Sequence, residues 1–531
     1  MPPVRRYLWF IPLLLTLAFG LRRSISSPPS DFAGYYFGSL ALIHGDYTQA
    51  YDMTQLNDRI AAAGYHDVFV SYTPFPPFTS LVFAPFLVFP MSVAKLVFNA
   101  LGIVLFLFSL VRITRYLSTP PWLILALPLI FFIPLFNNLA FGQSYLLLFT
   151  LLTEGYLAYR EQRRILSSLL WAVAILFKLF PAFLFVFLLL RRRYRDALYL
   201  AIGCSLLLLP SLLVNGVAAW MFYSANIIPR MNHGELNDSF TYVFQSAFML
   251  LKRAFSYDRL LNPHPITDNP WLLTLGLAIF KSALLTTVIL LTRREKDDLI
   301  PFTVWIAASM LISPNGSSYS LVLLILPLLG LASHLRPSAP TAIAALLLTA
   351  ACFIPVTRLA GSPLAAQFPR LYLLLLVYFL LLRKRQTWNL PLFTALTALF
   401  FALDLRGNLP GKDASSYVLT KEAHLFIDSF TARDNRLVYS WRDDKGRHEE
   451  STGYPVYSLT TAGVALIDDQ IWYNGRQLTN TPDRKSRPAL VNGNRILYLS
   501  DKHRGFEFYT LRQISPDGQP QDAQAAPGSL Q

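Results

Sequence analysis

Among the carboxylates in this chain of 531 residues, Asp31 is the strongest candidate for a general base. Asp31 follows soon after a long apolar run, Tyr7 to Leu21, and Tyr35 and Tyr36 come one helical turn later. Rings beside a carboxyl exclude water and raise its pKa, which suits a general base. The alternative role is an N-cap of a helix, because Asp is favoured at that position.

Three further polar residues interrupt aromatic segments. Asp46 is a second candidate base, although Asp within a turn such as Gly45-Asp46-Tyr47 is favoured for local hydrogen bonds. Tyr72 opens a proline-rich turn that cannot form a regular helix. Gln143 follows a glycine, and its amide can bind a hydroxyl or cap a helix equally well.

Cations supply the complementary chemistry. Lys178 interrupts the apolar run Ile165–Leu190 and is followed closely by Pro181. A lysine within a membrane is costly unless it serves a function, and its compact charge suits a phosphate. Snorkelling or pairing with an acid is the alternative. Arg230 and His233, in a later polar segment, can clamp phosphate, although an exposed loop carries such charges anyway.

The composition indicates which elements must position these residues. The chain is 54% hydrophobic and only 15% charged, with a mean hydropathy of +0.41, whereas about a quarter of a soluble domain is charged. The net charge of +15 comes from clusters at the ends of apolar runs, such as Arg191–Arg193 and Arg383–Arg385. These clusters are typical of cytoplasmic anchors and exclude nucleic-acid binding. No zinc spacing or nucleotide fingerprint occurs, so we expect no metal and no cofactor.

We therefore predict an all-α polytopic membrane protein with about 11 full spans plus one broken pair, or about 11–13 transmembrane helices. The first apolar run is predicted to be an uncleaved span that starts in the cytoplasm. Ile165–Leu190 has basic clusters at both ends but only the length of one crossing. Two half-helices that enter and leave from the cytoplasm, with Lys178 at their tip, resolve this conflict. Other predicted spans include Val93–Val111, Trp122–Pro134, Ser144–Tyr159, Ala197–Val214, Trp271–Leu291 and Pro391–Leu403.

The chain changes character after residue 405. Residues 406–531 contain alternating strand-like runs, such as Gln470–Tyr473, separated by turn pairs such as Asn474-Gly475. We predict a polytopic domain over residues 1–405 and a small C-terminal antiparallel β domain over residues 406–531. The segment Ala489–Tyr509 resembles one TolB-type propeller blade, and the domain is too short for more than a partial propeller. Because the last predicted span leads out of the cytoplasm, we expect the β domain to lie outside it. We expect the protein itself in the inner or plasma membrane.

Taken in order, these motifs resemble glycosyltransferase family 87, a GT-C-fold family of polyprenyl-phosphate-sugar-dependent enzymes that includes mannosyltransferases. The family pattern places Asp and Tyr-Tyr after span one, then Tyr-x-Pro-x-x-Pro, Gly-Gln, Lys-x-x-Pro, Gln-Ser and Ser-Pro. The matching positions are Asp31, Tyr35-Tyr36, Gly45, Tyr47, Tyr72, Pro74, Pro77, Gly142-Gln143, Lys178, Pro181, Gln245-Ser246 and Ser313-Pro314. Two departures are Phe244, where the family often has Asn, and Asn315, where it often has Trp or His.

The resemblance implies inverting transfer of a sugar from a polyprenyl-phosphate donor to a hydroxyl of a glycolipid or glycan acceptor at the outer membrane face, with membrane lipids as surroundings. Asp31 is then the catalytic base. The substrate-binding residues are predicted to be Tyr35, Tyr36, Asp46, Tyr72, Gln143, Lys178, Arg230, His233 and Tyr319. Two other classes share some of these features: a multi-span transporter and an inactive membrane scaffold whose β domain binds a partner.

Overall fold

The chain folds into a helical part followed by antiparallel sheets. The structure is a computed structural model, and it describes residues 7–232, 234–236, 240–258, 261–334, 339–382, 388–408, 416–417, 426–443, 445–481, 483–502 and 504–518. The helices are α1 (Ile11–Ser26), α2 (Ser30–Ile43), α3 (Tyr47–Tyr51), α4 (Met53–Ala62), α5 (Thr79–Phe83), α6 (Met91–Tyr116), α7 (Pro121–Ile130), α8 (Phe132–Phe141), α9 (Tyr145–Arg160), α10 (Arg164–Lys178), α11 (Phe183–Leu190), α12 (Tyr194–Phe222), α13 (Ile228–Asn232), α14 (Ala247–Phe255), α15 (Pro270–Arg294), α16 (Leu299–Ile312), α17 (Ile325–His334), α18 (Ala339–Phe353), α19 (Pro369–Leu381) and α20 (Leu390–Asn408).

Several of these helices have the length and composition of membrane spans. Within the described ranges, four helices qualify, or five if one bent pair counts as a single span. They are Leu8–Ser26, Met91–Tyr116, Tyr194–Met231 and Pro270–Arg294. Shorter apolar helices, such as α16 and α18, pack around them. A multi-pass protein is compatible with this set, and the predicted number of about 11 spans stays a prediction.

Two predicted spans differ from the structure. Trp122–Pro134 was expected as one helix, but α7 and α8 meet at an angle of 54° beside Phe131. Pro134 explains the break, because in a continuous helix its ring would clash with the carbonyl of Ile130. In α8 it occupies the third position, where no N–H is needed. The second difference is α12, which continues beyond Val214 across a non-helical Gly216 (φ 81°).

The predicted pair of half-helices is confirmed. α10 ends at Lys178, Leu179 has non-helical backbone angles, and a short 3-10 turn leads into α11. Arg160, before α10, and Arg191, after α11, both pair with Asp298. Both ends of the segment therefore lie on one side of the bundle, and the chain returns to the side from which it starts.

The helical part has two chemically distinct ends. We call the end that carries Arg160, Arg191 and Asp298 the basic end. Tyr7 also lies there, because its hydroxyl accepts a hydrogen bond from Arg115 near the end of α6. At the opposite end, which we call the Asp31 end, α1 has finished and α2 begins.

The C-terminal strands form three antiparallel sheets, which we call the β region. The strands are β1 (Ser416–Tyr417), β2 (Ile427–Arg433), β3 (Arg436–Asp443), β4 (Gly446–Pro455), β5 (Leu459–Thr460), β6 (Val464–Ile467), β7 (Gln470–Tyr473), β8 (Arg476–Gln477), β9 (Lys485–Val491), β10 (Arg495–Ser500) and β11 (Thr510–Ile514). The sheet orders are β1-β11-β10-β9-β5, β2-β3-β4 and β6-β7-β8. Asn474 (φ 47°) and Gly475 (φ 78°) make the predicted tight turn between β7 and β8. The antiparallel character of this part is confirmed.

Candidate active site

Asp31 stands in the first turn of α2, at the Asp31 end. The N-cap position belongs to Pro29, so Asp31 does not cap this helix. A carboxylate in a first turn is stabilised by the helix dipole. The Oδ2 atom of Asp31 accepts a hydrogen bond of 2.5 Å from Nε2 of Gln143. The carboxylate is thus held by a second element that lies far along the chain.

The turn between α8 and α9 delivers Gln143. Gly142 has φ +68°, and a Cβ on it would lie 2.6 Å from Cβ of Phe32, so only glycine permits this approach. The Gln143 amide accepts a hydrogen bond of 3.2 Å from the hydroxyl of Tyr35 while it donates to Asp31. The Tyr35 hydroxyl also lies 2.9 Å from Oγ of Ser144. One network therefore fixes the orientation of the carboxylate.

Lys178 reaches the same place from the tip of the half-helix pair. Its ammonium lies over the rings of Tyr145, at 4.2 Å from the centroid, and Phe75, at 5.1 Å. Within the described part of the chain the ammonium makes no hydrogen bond and no ion pair at contact distance. It interacts electrostatically with the Asp31 carboxylate. The cation therefore keeps its donors available for an anionic ligand.

The segment after Ser313-Pro314 forms another wall of the site. Asn138 donates a hydrogen bond of 2.8 Å to the carbonyl of Tyr319, and Asn137 donates one of 2.8 Å to Oγ of Ser318. The Tyr319 ring lies 5.5 Å from the ring of Tyr145. Two adjacent amides of α8 thus position Tyr319 beside the aromatic contact of Lys178.

The Asp31 carboxyl is partly exposed to solvent, and its electrostatics suit a general base. Burial raises the pKa of the carboxyl above its ordinary value of 3.8, while the Gln143 hydrogen bond and the charges of Lys178 and Lys95 oppose the rise. The raised pKa strengthens the carboxylate as a proton acceptor. The two cations keep the ionised form accessible.

Among the other predicted substrate-binding residues, those that the structure describes have contacts of their own. Tyr36 donates to the carbonyl of Phe89 at 3.0 Å. Asp46 caps α3, accepting from the backbone N–H of Gln49 at 2.9 Å. Its exposed carboxyl has a lowered pKa, chiefly because of that hydrogen bond. This is the local role that the turn pattern favoured.

Tyr72 and Arg230 have structural partners. Tyr72 is fully buried under Gly38, where a Cβ would lie 2.2 Å from the Tyr72 ring. Arg230 forms an ion pair of 2.6 Å with Asp501 of the β region. His233 lies outside the described residues. Five of the ten predicted site residues are therefore gathered in one place: Asp31, Tyr35, Gln143, Lys178 and Tyr319.

Sequence reasoning missed Lys95, which belongs to the same site. Its ammonium donates to three backbone carbonyls, those of Ser24 at 3.4 Å, Pro28 at 3.0 Å and Ala140 at 2.6 Å. One turn later, Asn99 donates to the carbonyl of Leu139 at 2.9 Å. These contacts join the end of α1 to the end of α8 and so set the spacing of Asp31 and Gln143. The available signal was a charged residue in an apolar helix.

Comparison with known proteins agrees with these motifs. Residues 72–314 match the sequence model of glycosyltransferase family 87. The matched stretch contains Tyr72, Gln143 and Lys178, whereas Asp31 precedes it and Tyr319 follows it. No curated protein and no solved structure matches the chain. This match supports the resemblance to glycosyltransferase family 87 and, with it, the activity of a glycosyltransferase.

Proposed function

We propose that the protein transfers a sugar from a polyprenyl-phosphate donor to an acceptor hydroxyl, with inversion, at the outer face of the cell membrane. One observation carries this proposal. Asp31 and Lys178 interact at one end of an apolar helix bundle. The pKa of the Asp31 carboxyl is raised, and Lys178 has no ion-pair partner among the described residues. An acid and a cation in this relation suit attack by a hydroxyl and departure of a phosphate.

The chemistry divides between the two charges. The Asp31 carboxylate takes the proton of the acceptor hydroxyl while the acceptor oxygen bonds to the anomeric carbon. The bond from that carbon to the donor phosphate oxygen breaks, and its electron pair leaves with the lipid phosphate. A phosphate leaving group needs no proton near neutral pH. The Lys178 ammonium compensates the charge that develops on it.

The surrounding residues prepare both partners for this step. Gln143 and Tyr35 hold the carboxylate in one orientation, which removes the cost of orienting it during the reaction. The rings of Tyr145 and Tyr319, 5.5 Å apart, offer an apolar surface of the kind that sugar faces contact. The apolar helices around the site suit a polyprenyl chain.

Purified protein in lipid nanodiscs, given radiolabelled polyprenyl-phosphate-mannose and a membrane glycolipid extract, tests the proposal directly. We expect release of polyprenyl phosphate and label in the acceptor, with the opposite anomeric configuration shown by nuclear magnetic resonance. Related hexose donors test the choice of sugar. Uptake of label into sealed proteoliposomes without transfer would instead identify a transporter. Neither transfer nor uptake with any donor would favour a scaffold.

A prediction about sidedness follows from the two ends of the helical part. The β region packs on the segments that follow Asp31, opposite the basic end, so we propose that it lies outside the cytoplasm. Alkaline phosphatase fused to the C-terminus is active only outside the cytoplasm. We expect an active fusion, and an inactive one after truncation within α19. A well-expressed but inactive full-length fusion would overturn this topology.

A further inference from the structure

A short loop of the β region contacts two separate segments of the helical part. We call it the docking loop, and it consists of Asp501 and residues 504–508. The Asp501 carboxylate accepts from both terminal nitrogens of Arg230, at 2.6 Å and 3.3 Å. The backbone N–H of Phe506 donates to the carbonyl of Glu235 at 2.5 Å. The Glu507 carboxylate accepts from the backbone N–H of Met53 at 2.5 Å.

The segment around Met53 is held at further points. Arg442 of β3 forms an ion pair with Asp58 of α4. The ring of Phe69 lies 5.1 Å from that of Phe426 and 6.4 Å from that of Phe508. Polar and apolar contacts thus fasten residues 53–69 to the β region along their length. Residues 53–69 therefore have little freedom to move while these contacts are formed.

The charges of the docking loop are buried. The Asp501 side chain is 0% exposed and the Glu507 side chain 1% exposed. Glu507 is also paired with Arg484 at 2.6 Å. Separation of a buried ion pair is costly, because it leaves an uncompensated charge. These contacts therefore fix how the docking loop sits on the helical part.

A continuous set of contacts leads from Arg484, the partner of Glu507, to Tyr35 and Lys178 in the site. The Arg484 guanidinium lies over the ring of Phe222 at 5.9 Å, and that ring lies 5.7 Å from the ring of Tyr51. The Tyr51 hydroxyl donates to the carbonyl of Phe75 at 2.8 Å. The Phe75 ring lies 4.2 Å from the ring of Tyr35 and under the ammonium of Lys178. Phe75 thus connects Tyr51 to both Tyr35 and Lys178.

We infer that the β region is a positioning element of the active site, which holds residues 53–75 so that Phe75 supports Tyr35 and Lys178. It acts through the docking loop, without contact to the reacting atoms. Release of the loop lets Phe75 move, and a small displacement beside a catalytic group is enough to slow a reaction. The effect on turnover rests on the proposed function. The effect on loop order does not.

The test uses the full chain in nanodiscs and two readouts. Glu507→Ala removes the contacts with both Met53 and Arg484. Glu449→Gln is the matched control, because Glu449 forms an exposed pair of 3.2 Å with Arg433 in the same region. We expect hydrogen–deuterium exchange of residues 45–72 to quicken at least 10-fold in Glu507→Ala and to stay unchanged in the control. Unchanged exchange in Glu507→Ala overturns the inference, even if no sugar transfer is ever measured.

Turnover with polyprenyl-phosphate-mannose supplies the second readout. We expect kcat to fall about 10-fold in Glu507→Ala with the melting temperature of the helical part retained. Tyr51→Phe, which removes the hydrogen bond to Phe75, is expected to lower kcat and to be non-additive with Glu507→Ala. Additive effects, or a loss of kcat no greater than the unfolded fraction, contradict a positioning role. If Glu507→Ala fails to fold, we use Arg230→Asp, Asp501→Arg and the double variant that combines them. The double variant must restore the slow exchange and the kcat that each single variant loses, and failure to do so contradicts the inference.

Discussion

Asp31→Asn is expected to lower turnover by about 100-fold or more, the usual scale for loss of a positioned base. Asparagine matches aspartate in shape, and its side-chain oxygen can still accept the hydrogen bond from Gln143. An amide cannot take a proton from the acceptor hydroxyl near neutral pH. The measurement is kcat with polyprenyl-phosphate-mannose, beside donor affinity by equilibrium binding, which we expect to be retained.

Folding of this variant is also expected to be retained. Burial raises the pKa of Asp31, so the ionised carboxylate is less stable in the folded protein than in the unfolded chain. The amide removes that cost. Asp46→Asn is the matched control, because its carboxylate caps α3 at the surface, and we expect less than about a threefold change in turnover. Near-normal turnover of Asp31→Asn would refute its assignment as the base.

The pH profile provides an independent check on Asp31. A base must be ionised to act, so kcat falls as the pH drops through the pKa of Asp31. Because burial raises that pKa, the fall is expected to begin at a higher pH than for an ordinary Asp at 3.8. Asp31→Asn should lack this acid limb while its low residual rate persists. A limb that remains in the variant would belong to another group.

The sequence predicts the site best where a residue breaks a simple pattern. Lys178 is a charge within an apolar run, and Gly142-Gln143 interrupts a helical one, so each stands out without structural knowledge. The contact between Gln143 and Asp31 spans more than a hundred residues of chain. No spacing rule predicts it. Only the resemblance to a family linked the two segments before the structure did.

Arg230, Asp46 and Lys95 show where the sequence alone is a poor guide to the site. Arg230 was predicted to bind phosphate because its partner Asp501 lies far away in the sequence and could not be inferred from it. Asp46 shows the opposite case, since the turn pattern already favoured the local role that it has in the structure. Lys95 was missed because it lies near a helix end, where a lysine is usually explained by the interface.

Some features of the fold can likewise be predicted from charge and length alone, and others cannot. Basic clusters at both ends of Ile165–Leu190 were enough to predict that the chain returns, since the rule depends only on charge and length. The bend between α7 and α8 was overlooked, although Pro134 was visible, because a proline also fits near the end of a span. The path of contacts from the β region to Phe75 depends on tertiary packing. Periodicity carries no signal for it.

Lys178→Ala is expected to raise the KM for the lipid donor by about 10-fold, and by up to about 100-fold. A hydrogen bond from a charged donor contributes about 1.5–3 kcal/mol, and about 1.4 kcal/mol corresponds to a factor of ten. The ammonium lies over two rings beside Asp31, with no ion-pair partner among the described residues, so a donor phosphate is free to bind it. The measurement is the KM, and the dissociation constant, for polyprenyl-phosphate-mannose in nanodiscs.

Two further variants separate charge from packing at this position. Lys178→Met keeps an unbranched chain against Phe75 and Tyr145 but removes the charge, so we expect the same weakening as in Lys178→Ala. Lys178→Arg keeps the charge but places it on a planar, bulkier group with a different hydrogen-bonding geometry, so we expect only partial recovery. If Met binds donor as well as Lys does, the ammonium makes no contact with phosphate. The position of the ammonium over the two rings would then be a structural cation–π contact. Another cation would have to bind the phosphate, and Lys95 is a poor candidate because its ammonium already donates to backbone carbonyls.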